Sequence, residues 1–205
     1  MIAYVIFILL LGTVMYFIPE KNAVLRINIG GIGNGLVAIL AFLAAYLLKK
    51  RSLNAYGFRR VESKWVILAI VFAIAAFFAV FGIEAIYFHF VSEPNNQIDF
   101  QIAAKNGFVS LSILLFTGAL VTPFAEELIF RGIIANMLNR YNAVISIISS
   151  ATIFGLVHGF NVIFFDAFLV GVLNGFLFRK SNSIWPSVVT HVVYNSLTLI
   201  YYSIM

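Results

Sequence analysis

Long apolar runs alternate with short polar connections along the chain. Most of these runs approach the roughly 20 residues that a helix needs to cross a bilayer. They occupy residues 1–18, 27–48, 65–91, 108–139, 143–158, 162–178 and 184–204. This pattern predicts an all-α, polytopic integral membrane protein with about seven transmembrane helices. The first run lacks a basic n-region and a small-residue cleavage site, so we expect a retained span rather than a cleaved signal.

The composition excludes the other broad classes of protein. Of the 205 residues, 62% are hydrophobic and only 10% are charged, whereas a soluble domain has about 25% charged residues. Disordered chains are polar and poor in aromatic residues, which this chain is not. We therefore expect a single membrane domain over residues 1–205. The absence of cysteine excludes disulfides, thiolate metal sites and a cysteine nucleophile.

Basic residues collect in one set of connections. The net charge of +5 would suggest nucleic acid for a soluble protein, but here it fits the excess of lysine and arginine in cytoplasmic loops. With the N-terminus inside, the cytoplasmic loops hold Lys49, Lys50, Arg51, Arg59, Arg60, Lys64, Arg140, Arg179 and Lys180. The opposite loops hold only Lys21, Arg26 and Lys105. The bias predicts a cytoplasmic N-terminus, most simply in the plasma membrane, and no nucleic-acid partner.

Ionisable side chains inside the spans are the functional candidates, because burying them in hydrocarbon is costly. They are Glu84, His89, Glu126, Glu127, Arg131, His158, Asp166 and His191. At about 1.5 Å per helical residue, Glu84 and His89 fall near the outer interface. Glu126, His158 and His191 fall in the inner half or middle of the membrane, where they could share one cavity. Asp166 is equally suited to lining that cavity and to capping a helix turn.

Helical spacing refines this set. Glu127 and Arg131 are four residues apart, so they share a face and can pair, while Glu126 is turned by about 100° from Glu127. Pro123 in the same run predicts a kink or a break. Two glycine-containing stretches, residues 30–35 and the pair Gly171 and Gly175, predict close helix packing rather than a phosphate-binding turn.

The residue types favour hydrolysis by an activated water. A carboxylate in apolar surroundings can remove a proton from water, and a histidine can hold the water or relay the proton. His191 and Asn195 share a helix face and could donate hydrogen bonds to an oxyanion. Two histidines and a carboxylate could instead bind zinc. A serine nucleophile has little support, because no serine or lysine is obviously placed beside a base.

Three short segments resemble the motifs of one family. Residues 126–132, EELIFRG, resemble the EExxxR motif of the CAAX protease and bacteriocin-processing family, also called CPBP or Abi. Residues 149–158, SSATIFGLVH, resemble its FxxxH motif, and residues 191–195, HVVYN, resemble its HxxxN motif. Each motif is weak alone, but the order and separation also match. The resemblance covers a core over residues 108–200, whereas the spans within 1–107 carry no motif.

The resemblance implies an intramembrane glutamate protease related to type II CAAX prenyl endopeptidases. Carried over, Glu126 and His158 activate the water, and His191 with Asn195 stabilises the oxyanion. Glu127 and Arg131 then support the site. The family argues against an essential metal or other cofactor, with zinc as the lesser alternative.

The implied substrate is a hydrophobic, prenylated or leader-type peptide or protein that is cut within the bilayer. Two other functions stay open. One is a non-catalytic membrane protein of the bacteriocin self-immunity type. The other is a proton-coupled transporter that uses the glutamates and histidines as a relay. The sequence carries no signal for an oligomeric state.

Overall fold

The computed structural model describes residues 2–19, 22–93 and 97–205, and this part of the chain contains helices and no strand. The helices are α1 (Ile2–Tyr16), α2 (Ala23–Lys49), α3 (Ser63–Phe90), α4 (Ile98–Lys105), α5 (Gly107–Leu138), α6 (Ala143–Val157), α7 (Val162–Ser181) and α8 (Trp185–Ile204). Seven of them coincide with the predicted apolar runs, and α4 is an addition within the connection before α5. The all-α prediction is confirmed. Lys21, counted above as a loop residue, lies outside the described residues, while Arg26 belongs to α2.

Within the described part of the chain, four helices are long and apolar enough to cross a bilayer, namely α2, α3, α5 and α7. The α1 and α6 helices are apolar but shorter. Several spanning helices make the protein polytopic, as predicted. The number of seven transmembrane helices stays a prediction, because α1, α6 and α8 are not among these four.

The contacts of the chain divide it into two compact units. The first comprises Met1–Arg51, Asn96–Ile129 and Asn195–Met205, and the second comprises Ser52–Asn95 and Phe130–Tyr194. The α5 helix therefore contributes to both units, with the change after Ile129, and α8 does so with the change after Tyr194. The residues predicted for the site are distributed over both units.

In the first unit, glycines let α2 approach both α1 and α5 closely. A Cβ atom at Gly33 would lie 2.5 Å from the side chain of Leu11 in α1. A Cβ atom at Gly35 would lie 2.9 Å from the side chain of Val121 in α5. Such distances leave no room for a side chain, so the prediction of close packing is confirmed for this glycine run.

In the second unit, α6 and α7 pack along the predicted pair of glycines. A Cβ atom at Gly171 would lie 3.0 Å from the Cα atom of Ala151, and one at Gly175 would lie 3.3 Å from the Ile147 side chain. The contact at Gly171 is with backbone, which cannot turn aside as a flexible side chain can. The predicted small-xxx-small contact is therefore also confirmed.

Substitution of Gly171 by valine is expected to destabilise the protein by about 1–3 kcal/mol, because the added side chain meets the backbone of α6. Gly82→Ala in α3 is the matched control, since a Cβ atom there meets nothing within 4 Å. We expect the control to be neutral or slightly stabilising, as alanine suits a helix better than glycine. Unfolding in mixed micelles measures both effects, and equal stability of the two variants would contradict the packing argument.

The basic connection between α2 and α3 is anchored within the second unit. It contains a 3₁₀ turn, Leu53–Tyr56, followed by Gly57 with φ +89°, a left-handed conformation that favours glycine. The backbone N–H of Ile184 donates to the Gly57 carbonyl at 3.0 Å, and the Ser183 hydroxyl donates to the Arg59 carbonyl at 2.8 Å. This connection is thereby fixed to the two residues that directly precede α8.

Candidate active site

The two glutamates of α5 lie between two π-helical segments. Leu115–Val121 and Leu128–Ala135 are π-helical, and Thr122–Glu127 between them is α-helical. A π turn bonds each N–H to the carbonyl five residues earlier and is frequent at functional sites. Pro123 lies in the first turn of the α-helical piece, one residue after its start at Thr122. The helix is not broken at this proline, which corrects one of the two outcomes predicted for it.

Glu126 is almost completely buried, with 3% of its surface exposed. Its Oε1 atom accepts a hydrogen bond from Nδ2 of Asn34 in α2 at 2.7 Å. The hydroxyl of Tyr4 in α1, also buried, interacts electrostatically with the same carboxylate. Sequence reasoning missed both partners. The feature of the sequence that could have indicated Asn34 is its polar amide, which lies among glycines in an apolar helix.

Glu127 and Asn195 belong to the same unit as Glu126. Glu127 has no exposed surface, which agrees with its predicted place inside the protein. Asn195 in α8 is half-buried and donates from Nδ2 to the carbonyl of Gly118 at 2.9 Å. Gly118 lies in the first π-helical segment of α5. One N–H of Asn195 therefore ties α8 to α5, and a primary amide has a second N–H to offer.

Arg131 is fully buried in the second unit. Its Nη1 atom donates to the Ser150 hydroxyl at 3.4 Å, and its Nη2 atom donates to the Gly171 carbonyl at 3.3 Å. Polar partners of this kind are what a guanidinium needs inside an apolar protein. The close contact of α6 and α7 at Gly171 brings that carbonyl within reach. The predicted pairing of Arg131 with Glu127 stays a prediction.

The ring of Phe154 connects the other predicted residues of the second unit. The guanidinium carbon of Arg131 lies 5.4 Å from its centroid, within the range of a cation–π contact. The rings of His158 and His191 lie 4.5 and 5.5 Å away, and Phe130 packs on it at 4.8 Å, edge to face. Sequence reasoning gave Phe154 no role beyond a place in a motif, because phenylalanine is abundant in this chain.

His158 follows the last residue of α6 rather than lying within the helix. Its Nδ1 atom is 2.8 Å from the carbonyl oxygen of Phe154. Because a carbonyl can only accept, Nδ1 carries the hydrogen, and in the neutral ring Nε2 is the nitrogen with the lone pair. This tautomer suits a histidine whose Nε2 holds a water molecule. His191 in α8 is buried, with 4% of its surface exposed.

Asp166 takes neither an exposed nor a capping position. The first turn of α7 is capped by Asn161, whose side chain accepts from the backbone N–H of Ile163 at 2.9 Å. Asp166 lies further along the helix, is buried and interacts electrostatically with the half-buried Glu84 of α3. The capping alternative for Asp166 at this helix start is therefore wrong.

Binding of zinc by two histidines and a carboxylate is the alternative interpretation of the buried polar residues. Among residues 2–19, 22–93 and 97–205, no group of three or more His, Cys, Asp or Glu side chains has an arrangement that could hold a metal ion. The expectation of a metal-free reaction stays a prediction, which chelation tests directly.

Comparison with known proteins adds two findings. Residues 108–197 match the family described as type II CAAX prenyl endopeptidase Rce1-like, and this segment contains all three motifs. A curated protein of Bacillus subtilis (strain 168), named "Putative membrane peptidase YdiL", is 26% identical over 171 residues, which is 80% of this chain and 69% of the relative. No solved structure matches the chain significantly. The family resemblance predicted from the three motifs is confirmed.

Proposed function

We propose that this membrane protein, whose residues 108–197 match the family described as type II CAAX prenyl endopeptidase Rce1-like, is an intramembrane endopeptidase. The family match and the similarity to a membrane peptidase support a membrane protease in general. The observation that carries the finer assignment is the buried carboxylate of Glu126, held at Oε1 by the amide of Asn34. A carboxylate fixed in an apolar helix bundle is suited to act as a general base.

In the proposed reaction, Glu126 removes a proton from a water molecule that the Nε2 atom of His158 also holds. The resulting hydroxide attacks the scissile carbonyl carbon, and the proton later passes to the leaving amine. His191 and Asn195 donate hydrogen bonds to the oxyanion that develops. Such donors are most effective in a buried site, because the low dielectric strengthens their interaction with the developing charge.

Two further residues support this machinery. Arg131 is held by the Ser150 hydroxyl, the Gly171 carbonyl and the Phe154 ring, and we assign it, with Glu127, to orienting the reacting groups. Phe154 contacts both predicted histidines. A shift of about 1 Å in a reacting group can cost about 100-fold in rate, so this packing has direct consequences for catalysis.

The proposed substrate is a peptide or protein with a lipid or hydrophobic segment, either prenylated or of the leader type. Such a substrate partitions into the bilayer, where the buried site would meet it. The excess of basic residues on one side favours a site that opens toward the cytoplasm, in the plasma membrane, with a cytoplasmic N-terminus.

Peptide cleavage by the purified protein tests the proposal. His191→Ala is expected to lower kcat by about 100- to 1,000-fold, the usual effect of removing one oxyanion donor. His89→Ala is the matched control, because that histidine is exposed on α3 and should be dispensable. Cleavage of one substrate at equal rates by wild type, His191→Ala and Glu126→Ala would overturn the assignment.

Treatment with a chelator should leave the rate unchanged, and a loss restored by zinc would overturn the metal-free mechanism.

A further inference from the structure

A residue outside the family-matched segment holds the carboxylate that we propose as the base. Asn34 lies in α2, 92 positions before Glu126, and is half-buried. Its Nδ2 atom donates to Oε1 of Glu126 at 2.7 Å, a short distance for an N–H···O bond and typical of a charged acceptor. None of the three motifs includes Asn34, and the family match begins only at residue 108.

The surroundings of Asn34 keep α2 close to α5. Gly31 lies one turn before Asn34, and a Cβ atom there would reach Thr117 of α5 at an ordinary contact distance of 3.4 Å. Gly35 lies one residue after Asn34, and a Cβ atom there would crowd Val121 of α5 at 2.9 Å. The hydroxyl of Thr122 in α5 donates to the Gly31 carbonyl at 3.0 Å. This bond links α5 to the backbone of α2 one turn before Asn34. A short side chain can therefore reach Glu126 from α2 without strain.

We infer that Asn34 is a positioning residue, which orients the Glu126 carboxylate. The inference rests on the proposed function of Glu126 as general base. The Nδ2 atom of Asn34 can only donate, so its contact with Oε1 holds the Glu126 carboxylate in one direction. The N-terminal helices thereby contribute directly to the chemistry of the motif region.

An isosteric substitution separates this role from simple packing. Asn34→Asp keeps the shape of the side chain but replaces the N–H donor by a carboxylate oxygen next to Glu126. We expect kcat to fall by about 10- to 100-fold with KM nearly unchanged, because the substrate still binds.

Asn28→Ala is the matched control, because it removes an amide from the same helix about 9 Å along the axis from Asn34. It should retain the wild-type kcat. Asn34→Ala should also lower kcat with KM nearly unchanged. Wild-type kcat in Asn34→Asp would overturn the inference. Full activity of Glu126→Ala would instead overturn the proposed function.

A spectroscopic measurement tests the contact without turnover. The infrared difference between wild type and Glu126→Gln isolates the carboxylate band of Glu126. The same difference in an Asn34→Ala background should show this band at a changed frequency, because one hydrogen bond is lost. In an Asn28→Ala background the band should not move. An unchanged band in Asn34→Ala would overturn the inference even for a protein whose substrate is not yet known.

Discussion

Replacement of Glu126 by glutamine is expected to lower kcat by about 100- to 10,000-fold, the range that a positioned general base contributes. Glutamine has the same shape and retains an oxygen that can accept from Nδ2 of Asn34. It cannot take a proton from water, however. The fold should therefore survive while the chemical step is lost. Steady-state cleavage of a hydrophobic peptide, together with thermal unfolding of both proteins, measures the two properties separately.

Glu84→Gln provides the matched control for this prediction. Glu84 is a half-buried carboxylate on α3, to which we assign no part in the reaction. Its substitution should leave kcat at the wild-type value, which excludes a general effect of removing one buried charge. A Glu126→Gln variant that stays within about tenfold of the wild-type kcat would contradict the role of general base.

The helices were predictable because the bilayer imposes a strong local signal. A chain that crosses hydrocarbon must satisfy its backbone hydrogen bonds internally, so each apolar run in the sequence corresponds to one helix in the structure. Close packing at Gly35 and Gly171 was predictable for the same kind of reason, since small residues among apolar ones mark helix contacts. Three motifs then predicted site residues on α5, directly after α6 and on α8.

The π-helical segments of α5 were not predictable from local sequence. Pro123 indicated a disturbance, but neither Leu115–Val121 nor Leu128–Ala135 has a composition that separates a π turn from an α turn. The π turns depend on how the whole α5 helix packs in its surroundings. Gly118 lies in the first of these segments, and Asn195 donates to its carbonyl.

Contacts between residues that are far apart in the sequence could not be predicted from the sequence either. Asn34 and Glu126 are 92 positions apart, and no spacing rule connects two different helices. The role of Phe154 was hidden for another reason. The chain has 22 phenylalanines, so a single one carries almost no information until its neighbours are known.

Substitution of Phe154 by alanine is expected to destabilise the protein by about 3–5 kcal/mol, the usual cost of removing a large buried ring. The ring has 1% of its surface exposed, and its loss leaves a cavity next to Arg131, His158 and His191. Cleavage activity should fall at the same time. Unfolding in mixed micelles and kcat on the hydrophobic peptide measure the two effects.

Phe154→Leu tests whether position 154 needs only the volume of the side chain or also its aromatic face. Leucine fills most of the volume, so we expect much of the stability to return. It offers no π face to the Arg131 guanidinium, a contact worth about 0.5–2 kcal/mol, and no edge-to-face partner for the histidines. The activity should therefore stay low although the fold recovers.

Phe160→Ala is the control for both substitutions, because that ring is 87% exposed and its removal should change stability by less than about 0.5 kcal/mol. A Phe154→Leu variant with wild-type kcat would mean that volume alone matters at this position. A stable but inactive variant would instead mean that the ring aligns the arginine and the two histidines. Phe154 would then be required for what its π face holds in place, namely Arg131, His158 and His191.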